Sequence, residues 1–343
     1  MSTYRVAVFT GEKTIEFKEL ELKKPLGTQA LVKIDSCALC TLEQRVYNGV
    51  MRYYPFAGGH EFAGTVCEIG DKVVHLKPGD HVTARILTNC GSCYYCRNGH
   101  ENQCVISFQA SLHEGINGPG GLSEYILIDE SLLYKMANDI NLSYAALTEP
   151  LACCVHSISQ GNIELGDDVA VIGVGIMGAF HIKLAKLRGA RVIAIELDPE
   201  RLEIAKEMGA DVLVDAGKCN SVEKVIELTE GRGANVVFCT VANPQSAAEA
   251  IAMAGKLGRV VLYSSFHPKL PIELDVNHVH YSEMIITGSV NPKIKDFYVA
   301  SKLLSTGIVN PARLISEEVP FENIDYALQR AIDPETYRVI VKI

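Results

Sequence analysis

The sequence predicts an α/β protein with two domains, one rich in β-strands and one built on a doubly wound parallel sheet. Up to about residue 155, short runs that alternate between apolar and polar residues, such as 31–34, are separated by turn signals such as Lys77-Pro78-Gly79-Asp80. From about Leu165, apolar runs alternate with helical patterns, which is typical of parallel strands joined by crossover helices. A chain of 343 residues is long enough to bury a core in each domain.

The elements of the second domain follow one another in regular alternation. We predict strands at 169–172, 192–195, 212–214, 236–238, 260–263 and 284–286, and helices at 177–187, 199–208, 222–228 and 246–254. Helices at 296–304 and 324–332 and a strand at 337–343 then return the chain to the first domain. We therefore place the first domain at 1–155 and 291–343, and the second at 156–290.

Composition and charge argue against several classes of function. Hydrophobic residues make up 48% of the chain and the net charge is −9, with no basic run, so neither nucleic acid nor an anionic membrane is expected as a partner. We find no secretion signal and no apolar run of membrane-spanning length, which favours a cytoplasmic protein. The 11 cysteines are then expected to be thiols or metal ligands rather than disulfides.

A glycine-rich loop opens the second domain. The strand at 169–172 runs directly into Gly173-Val174-Gly175-Ile176-Met177-Gly178, and a helix follows at once. In such a loop the first glycine permits the turn, the second lets a pyrophosphate approach the backbone, and the third lets helix and strand pack closely. The phosphates then face the free N–H groups of the helix N-terminus. Together with the strand and helix around it, this loop predicts dinucleotide binding through residues that include Ile176 and Met177.

An acidic residue at the end of the next strand indicates which dinucleotide is bound. Glu196 follows Gly178 by 18 residues, where an acceptor for the ribose 2′-hydroxyl is expected. A carboxylate there accepts hydrogen bonds from the ribose of NAD and repels the 2′-phosphate of NADP, so we predict NAD. Arg201 either contacts the cofactor or lines the solvated face of its helix. Ser265 and Val290 complete the predicted cofactor-binding residues.

A cluster of cysteines predicts a structural metal site. Four thiolates are offered by Cys90, Cys93, Cys96 and Cys104. They suit a closed, tetrahedral zinc site that stabilises a lobe at about 88–106. The alternative is an iron–sulfur cluster. The bacterial ferredoxin run has three residues between its third and fourth cysteines and follows the fourth with proline, whereas Cys104 lies further on and is followed by Val105. The spacing therefore favours zinc.

A second possible metal site is dispersed along the first domain. Cys40, His60, Glu61 and Glu149 would provide one thiolate, one imidazole and one or two carboxylates, the ligands of an open catalytic zinc site. Each residue also has an ordinary structural explanation, such as a buried cysteine or a carboxylate at a helix end. Sequence spacing alone therefore leaves this site undecided.

Several motifs occur together in a characteristic order. They are Gly59-His60-Glu61 followed by Gly64, the four-cysteine cluster, Gly120-Gly121-Leu122-Ser123-Glu124-Tyr125, Glu149-Pro150-Leu151 with His156, and the glycine-rich loop. With these motifs the whole chain resembles the zinc-containing medium-chain dehydrogenase/reductase family. Glu149-Pro150-Leu151 is similar to the branch that contains sorbitol, threonine, butanediol and galactitol-phosphate dehydrogenases. The resemblance implies a GroES-like β-rich domain interrupted by a Rossmann domain.

The resemblance also implies a set of zinc ligands and an activity. Cys40, His60 and either Glu149 or Glu61 would bind the catalytic zinc, with Cys37 as the less favoured choice for the first ligand. The protein would be an oxidoreductase that oxidises a secondary alcohol of a polyol, cyclitol or sugar-derived substrate with NAD. Alternatives are a threonine-type or sugar-phosphate dehydrogenase, or a non-catalytic NAD-binding redox sensor. Relatives are homodimers or homotetramers, and the same is expected here.

The segment after Cys40 departs from the family pattern. Relatives usually carry a hydroxyl residue two positions after the cysteine, where it begins a proton relay, and a histidine further on. Here these positions are Leu42 and Arg45. Either Thr41, Glu61 or water held by Glu149 then carries the proton, or the reaction departs from that of the family.

Overall fold

The computed structural model of the protein describes residues 2–107 and 115–343. The chain divides into two compact units, one formed by Met1–Ala152 with Lys293–Ile343 and the other by Cys153–Pro292. Within the described ranges, no helix combines the length and apolar character needed to cross a membrane.

The secondary structure follows the order below. The strands are β1 (Thr3–Gly11), β2 (Thr14–Glu21), β3 (Gln29–Ala38), β4 (Glu61–Ile69), β5 (His81–Ala84), β6 (Tyr125–Asp129), β7 (Leu133–Lys135), β8 (Asp168–Ile172), β9 (Arg191–Glu196), β10 (Val212–Asp215), β11 (Ala234–Cys239), β12 (Ala254–Leu262), β13 (Ile285–Gly288), β14 (Ile315–Pro320) and β15 (Arg338–Lys342). The helices are α1 (Thr41–Tyr47), α2 (Tyr94–Arg97), α3 (Leu142–Ala145), α4 (Thr148–Gly161), α5 (Ile176–Leu187), α6 (Pro199–Met208), α7 (Ser221–Leu228), α8 (Pro244–Met253), α9 (Val276–Ser282), α10 (Ile294–Ser305) and α11 (Ile324–Ile332).

The first unit is built on a mixed sheet in the order β14-β15-β3-β4-β5-β7, with β6 also paired to β3 and a separate β1-β2 pair. Strand β3 is almost continuously buried because it lies at the centre of this sheet. It pairs antiparallel with β4, where Ala38 is opposite Glu61, and with β15, where Ala38 is opposite Ile340. Three strands that are distant in sequence therefore meet around the end of β3.

The second unit is a six-stranded parallel sheet in the order β10-β9-β8-β11-β12-β13. Every residue of β8 is buried, as expected of a central strand in a sheet covered on both faces. The strand order reverses between β8 and β11, and a crevice at such a switch point is where doubly wound sheets bind nucleotides. The predicted α/β class, with its doubly wound sheet, is confirmed.

Local signals explain why some helices were predicted well and others, such as α9, were missed. Helix α6 begins with Pro199 after the capping residue Asp198 and ends at Gly209, whose φ of 107° only glycine adopts readily. These signals allow both ends of α6 to be predicted from the sequence. Helix α9 was not predicted, because its short polar and β-branched sequence has no clear apolar period, although Asp275 caps it by accepting from two backbone N–H groups.

Candidate active site

The dispersed residues Cys40, His60, Glu61 and Glu149 come together in the first unit. His60, Glu61 and Glu149 each offer one ligand atom, and these atoms lie within 4.8 Å of one another. Cys40, Glu43 and His60 form a second set by the same measure. Because His60 belongs to both sets, the other four side chains are gathered around its imidazole ring.

The pairing of β3 with β4 explains this convergence. Ala38 ends β3 and is paired with Glu61, the first residue of β4. Cys40 follows Ala38 by two residues and His60 directly precedes Glu61, so both lie at the same end of the strand pair. Cys40 then begins helix α1 in an extended conformation as its N-cap residue.

Cys37 lies in a different environment from Cys40. It is within β3, fully buried and paired with Phe62. Burial, with smaller contributions from Glu43 and Glu61, raises the pKa of the Cys37 thiol well above its usual value. It belongs to neither set of converging donor atoms among the described residues. The geometry therefore favours Cys40 as the thiolate ligand, since a metal binds the deprotonated form.

Glu61 is held by an arginine of the C-terminal segment. Arg338 Nη2 donates to Glu61 Oε1 at 2.6 Å and Arg338 Nε donates to Glu61 Oε2 at 3.0 Å. Both side chains are buried. The carboxylate of Glu61, together with Cys40 and Glu149, raises the pKa of Arg338 above its ordinary value, so the guanidinium stays charged. Sequence reasoning did not identify Arg338, which lies 277 positions from Glu61.

Glu43 connects the segments that carry Cys40 and His60. Its Oε1 accepts from Gly59 N at 2.9 Å and from His60 Nδ1 at 3.1 Å, and its Oε2 accepts from Cys40 N at 3.2 Å. Because a carboxylate can only accept, the proton in this contact is on Nδ1. When the ring is neutral, its Nε2 lone pair is then available for a metal.

The four cysteines of the cluster also converge in the first unit. Their sulfur atoms are 3.6 Å apart for Cys90 and Cys104 and 4.0 Å apart for both Cys90–Cys96 and Cys93–Cys104. With zinc–sulfur bonds of about 2.3 Å, the edge of a regular tetrahedron of sulfur atoms is about 3.8 Å. The cluster therefore fits a tetrahedral zinc ion and leaves no ligand position open.

The glycine-rich loop of the second unit has the geometry that a pyrophosphate requires. Gly173 has a φ of 85°. A Cβ atom added to Gly178 would lie 1.9 Å from Gly173 O, so only glycine permits this approach of helix to strand. A Cβ added to Gly175, the N-cap residue of α5, would meet no atom within 4 Å. The space in front of Gly175 is thus open, and Ile176 and Met177 form the first turn behind it.

The remaining predicted cofactor residues also lie in the second unit. Glu196 ends β9, and its carboxylate accepts from Val174 N at 2.6 Å and from Leu197 N at 2.7 Å. Arg201 is in α6 with its Nε 3.8 Å from Asp198 Oδ2. Ser265 follows β12, with its hydroxyl 3.2 Å from His267 Nε2, and Val290, which follows β13, is half exposed.

Comparison with known proteins agrees with this geometry. An alcohol dehydrogenase GroES-like domain matches residues 27–138, and a zinc-binding dehydrogenase domain matches residues 173–306. A sorbitol dehydrogenase of Halalkalibacterium halodurans is 32% identical over 321 residues, which cover 91% of each chain. A D-arabitol-phosphate dehydrogenase of Enterococcus avium is 28% identical over 341 residues, 97% of this chain and 95% of the relative. The structure of 2R,3R-butanediol dehydrogenase from Bacillus subtilis superposes with a TM-score of 0.87 and 26% identity, covering 99% of each chain.

The chain belongs to the zinc-binding alcohol dehydrogenase family. Its fold, a GroES-like β-rich unit and a Rossmann unit, is that of these enzymes. As a zinc-binding alcohol dehydrogenase it is an oxidoreductase that uses zinc and a nicotinamide dinucleotide. The donor atoms described above fit this requirement, because one thiolate, one imidazole and a carboxylate with a further position open are the donors of a catalytic zinc site.

The position two residues after Cys40, where the resemblance predicts a hydroxyl group, is occupied by Leu42. Leu42 is partly buried and packs against the apolar core of the first unit, so it offers no hydroxyl group. Thr41 is exposed, and its Oγ1 lies 3.7 Å from Cys40 Sγ. Arg45 lies one helical turn after Thr41, and positions four residues apart share a helix face.

Proposed function

We propose that this protein oxidises a secondary hydroxyl group of a polyol, a cyclitol or a related sugar-derived alcohol and transfers the hydride to NAD. The observation that carries the proposal is the convergence of Cys40, His60, Glu61 and Glu149 at one place in the first unit. Sorbitol dehydrogenase and butanediol dehydrogenase among the similar proteins support a small alcohol with neighbouring hydroxyl groups as the substrate.

Cys40, His60 and Glu149 are the zinc ligands in this proposal, and Glu61 supports them. Both oxygens of Glu61 are engaged by Arg338, whereas Glu149 is partly exposed and lies within reach of His60. A ligand set with Glu61 in place of Glu149 would place the metal on an oxygen atom that already accepts a hydrogen bond from the Arg338 guanidinium. When bound, zinc lowers the pKa of a hydroxyl group it polarises toward neutrality.

Thr41 is the proposed carrier of the proton released from the substrate. Its hydroxyl group is exposed beside Cys40 and can both donate and accept a hydrogen bond. Leu42 occupies the position where relatives usually carry the relay hydroxyl group. A hydroxyl group accepts one proton while it donates another, which a leucine side chain cannot do. Glu61 and Glu149 are then not needed as carriers of this proton.

NAD is the proposed cofactor because of the environment of Glu196. Its carboxylate is oriented by backbone N–H groups of Val174, Leu197 and Asp198, which fixes an acceptor group at the end of β9. A 2′-phosphate brought to this position would be repelled, whereas two ribose hydroxyl groups could donate to the remaining lone pairs.

We further propose that the protein is a cytoplasmic homodimer or homotetramer. None of the 11 cysteines is in a disulfide bond, as expected of thiols and metal ligands in a reducing compartment. Strand β13 lies at the edge of the parallel sheet, and its first residue, Ile285, is 54% exposed. An uncovered apolar edge strand of this kind is suited to pairing with a second copy of the chain.

The sorbitol and butanediol dehydrogenases among the similar proteins support a polyol. The L-threonine 3-dehydrogenase of Bacillus subtilis, 29% identical, makes an amino alcohol the alternative that the assay must distinguish. The converging donor atoms favour an enzyme over a non-catalytic NAD-binding sensor. A panel of polyols, cyclitols, threonine and arabitol phosphate, assayed for NADH formation, tests the substrate class. Cys40→Ser and His60→Ala should abolish turnover while NAD still binds, and Cys67→Ser, an exposed cysteine outside the site, is the matched control. Normal turnover by the Cys40 and His60 variants would overturn the assignment of the site.

A further inference from the structure

The start of helix α10 is held by the lobe that carries the four cysteines. Glu101 lies inside this lobe, between its third and fourth cysteines, and its Oε1 accepts from Ile294 N at 2.8 Å. The neighbouring His100 accepts from Lys293 Nζ at 3.3 Å through Nδ1. Both contacts span 193 positions. The lobe therefore holds the chain at the point where it returns to the first unit.

The contact of Glu101 satisfies a backbone group that the helix itself leaves without a partner. Ile294 is the first residue of α10, and the first N–H groups of an α-helix have no acceptor within the helix. A carboxylate is a strong acceptor for such a group. The lobe thus supplies a hydrogen bond that fixes where α10 begins.

A tyrosine of β7 supports the same turn of α10. The hydroxyl group of Tyr134 donates to Ile294 O at 3.4 Å. Its ring packs against that of the buried Phe297, with the ring centroids 4.6 Å apart. The first turn of α10 is therefore fixed from the lobe and from the sheet of the first unit.

A buried arginine connects the lobe to α10 electrostatically. Arg85 directly follows β5, is almost fully buried, and donates from Nη1 to Leu87 O at 2.6 Å. Burial lowers the pKa of Arg85, and this shift is opposed by its electrostatic interactions with Tyr134, Glu101, Cys96 and Asp296. The same cation is thus attracted to groups of the lobe and to a group in the first turn of α10.

The anchored turn directly follows a segment that carries a predicted cofactor contact. Strand β13 ends at Gly288 and α10 begins at Ile294, so the connection consists of residues 289–293. Val290 lies in this connection and is half exposed. One end of the connection is fixed because Gly288 pairs with Leu262 of β12, and the other end is fixed by the lobe. A short connection that is held at both ends loses little conformational entropy when a ligand binds to it.

We propose that Glu101 is a positioning residue for the cofactor, because its contact with Ile294 holds the connection 289–293 in the conformation that presents Val290 to NAD. The zinc of the four-cysteine site then contributes to NAD binding, since it fixes the loop that carries Glu101. The inference rests on the proposed NAD site and gives the four-cysteine lobe a role in it.

The first test measures NADH affinity by fluorescence titration. Glu101→Ala removes the acceptor of Ile294 N, and we expect NADH to bind about 3- to 10-fold more weakly, the effect of losing one hydrogen bond to a charged group. Glu101→Gln keeps an oxygen atom in reach of this N–H and should retain most of the affinity. Glu130→Ala is the matched control, because Glu130 also accepts from backbone N–H groups of the first unit, those of Val74, His75 and Leu76. It should leave NADH affinity unchanged.

Amide hydrogen exchange in the cofactor-free protein separates positioning from general stability. We expect Glu101→Ala to speed exchange over residues 289–298 and to leave exchange in β8 at the wild-type rate. Glu130→Ala should leave residues 289–298 unchanged. Wild-type NADH affinity together with wild-type exchange of 289–298 in Glu101→Ala would overturn the inference.

A double variant tests the part played by the zinc of the lobe. Cys104→Ser should weaken NADH binding by the same factor as Glu101→Ala, and the two substitutions together should cause no further loss, because both act through one loop. A loss that adds up in the double variant would contradict the role of this zinc. If the wild-type protein bound no NADH, the proposed function would fail instead.

Discussion

Arg338 donates to both oxygens of Glu61, with Nη2–Oε1 at 2.6 Å and Nε–Oε2 at 3.0 Å, and both side chains are buried. This two-point contact joins β15 to β4 across the edge of the site. It places one permanent positive charge beside the carboxylates of Glu61 and Glu149.

Removing the guanidinium should destabilise the fold strongly. Arg338→Met leaves Glu61 buried without a counter-charge, and breaking a buried ion pair in this way costs about 3–5 kcal/mol. Urea denaturation monitored by circular dichroism measures the change, and Arg330→Met, which removes an exposed ion-pair partner, should cause a much smaller one. Adding Glu61→Gln to Arg338→Met should restore part of the loss. An unchanged free energy of unfolding in Arg338→Met would contradict this account of the pair.

Loss of one cysteine from the cluster should release one metal ion without emptying the other site. Cys104→Ser removes a ligand whose sulfur is 3.6 Å from that of Cys90, so the zinc content should fall from about two to about one per chain. Elemental analysis after dialysis measures this content, and thermal unfolding should occur at a lower temperature. Cys219→Ser, an exposed cysteine elsewhere, should retain the full content. Equal zinc in the two variants would rule out a metal at the cluster.

Two glycines of the nucleotide loop should respond differently to the same substitution. Gly175→Ala meets open space in a conformation that alanine adopts, with φ −67°, so stability should change by less than about 0.5 kcal/mol. The added methyl group occupies the position of the pyrophosphate, and we expect about tenfold weaker NAD binding. Gly178→Ala forces a Cβ to within 1.9 Å of Gly173 O and should lower stability itself. Calorimetric titration measures NAD binding and thermal melts measure stability. The same loss of stability in Gly175→Ala and Gly178→Ala would contradict this difference between the two glycines.

His181 should make the stability of the second unit sensitive to mild acid. It donates from Nδ1 to Met177 O and accepts at Nε2 from Ser157 Oγ, both at 2.7 Å, and burial lowers its pKa from 6.5 to about 4. Between pH 6.5 and about pH 4, His181 binds a proton in the unfolded chain but not in the folded protein. Stability is therefore fully present above pH 6.5 and falls as the pH drops toward 4, by up to about 3 kcal/mol.

The histidine contribution can be isolated by substitution. His181→Gln should flatten the dependence of the free energy of unfolding on pH between 6.5 and 4.5, whereas the exposed His75→Gln should leave it unchanged. Urea denaturation at a series of pH values measures both slopes. If His181→Gln keeps the wild-type slope of the free energy of unfolding against pH, other groups cause the loss of stability in acid.

What the sequence could predict depended on how far apart the interacting residues lie. The glycine-rich loop with Glu196 and the four-cysteine cluster are local patterns, so spacing alone indicated their chemistry. Cys40, His60, Glu61 and Glu149 could be predicted to form one site only through resemblance to a family. Their distances along the chain do not indicate that the folded chain brings them together. Glu43 lies in the segment after Cys40 that departs from the family pattern. Its hydrogen bonds depend on the positive φ of Gly59, so they could not be inferred from the sequence.

Arg338 shows the limit more clearly. An arginine in a terminal strand has no local signal that distinguishes it from a surface residue, and its partner is 277 positions away. Only the pairing of β15 with β3, next to β4, brings the two side chains together. Long-range strand pairing of this kind is what single-sequence patterns describe least well.

The distance between Glu61 and Arg338 along the chain has a consequence for biosynthesis. While the ribosome is still translating the Rossmann segment, every acidic donor of the catalytic pocket has already emerged, but the cation that neutralises them has not been made. We therefore expect nascent chains to keep this pocket open and hydrated, and productive metallation to be a late event that follows insertion of β15 between β3 and β14.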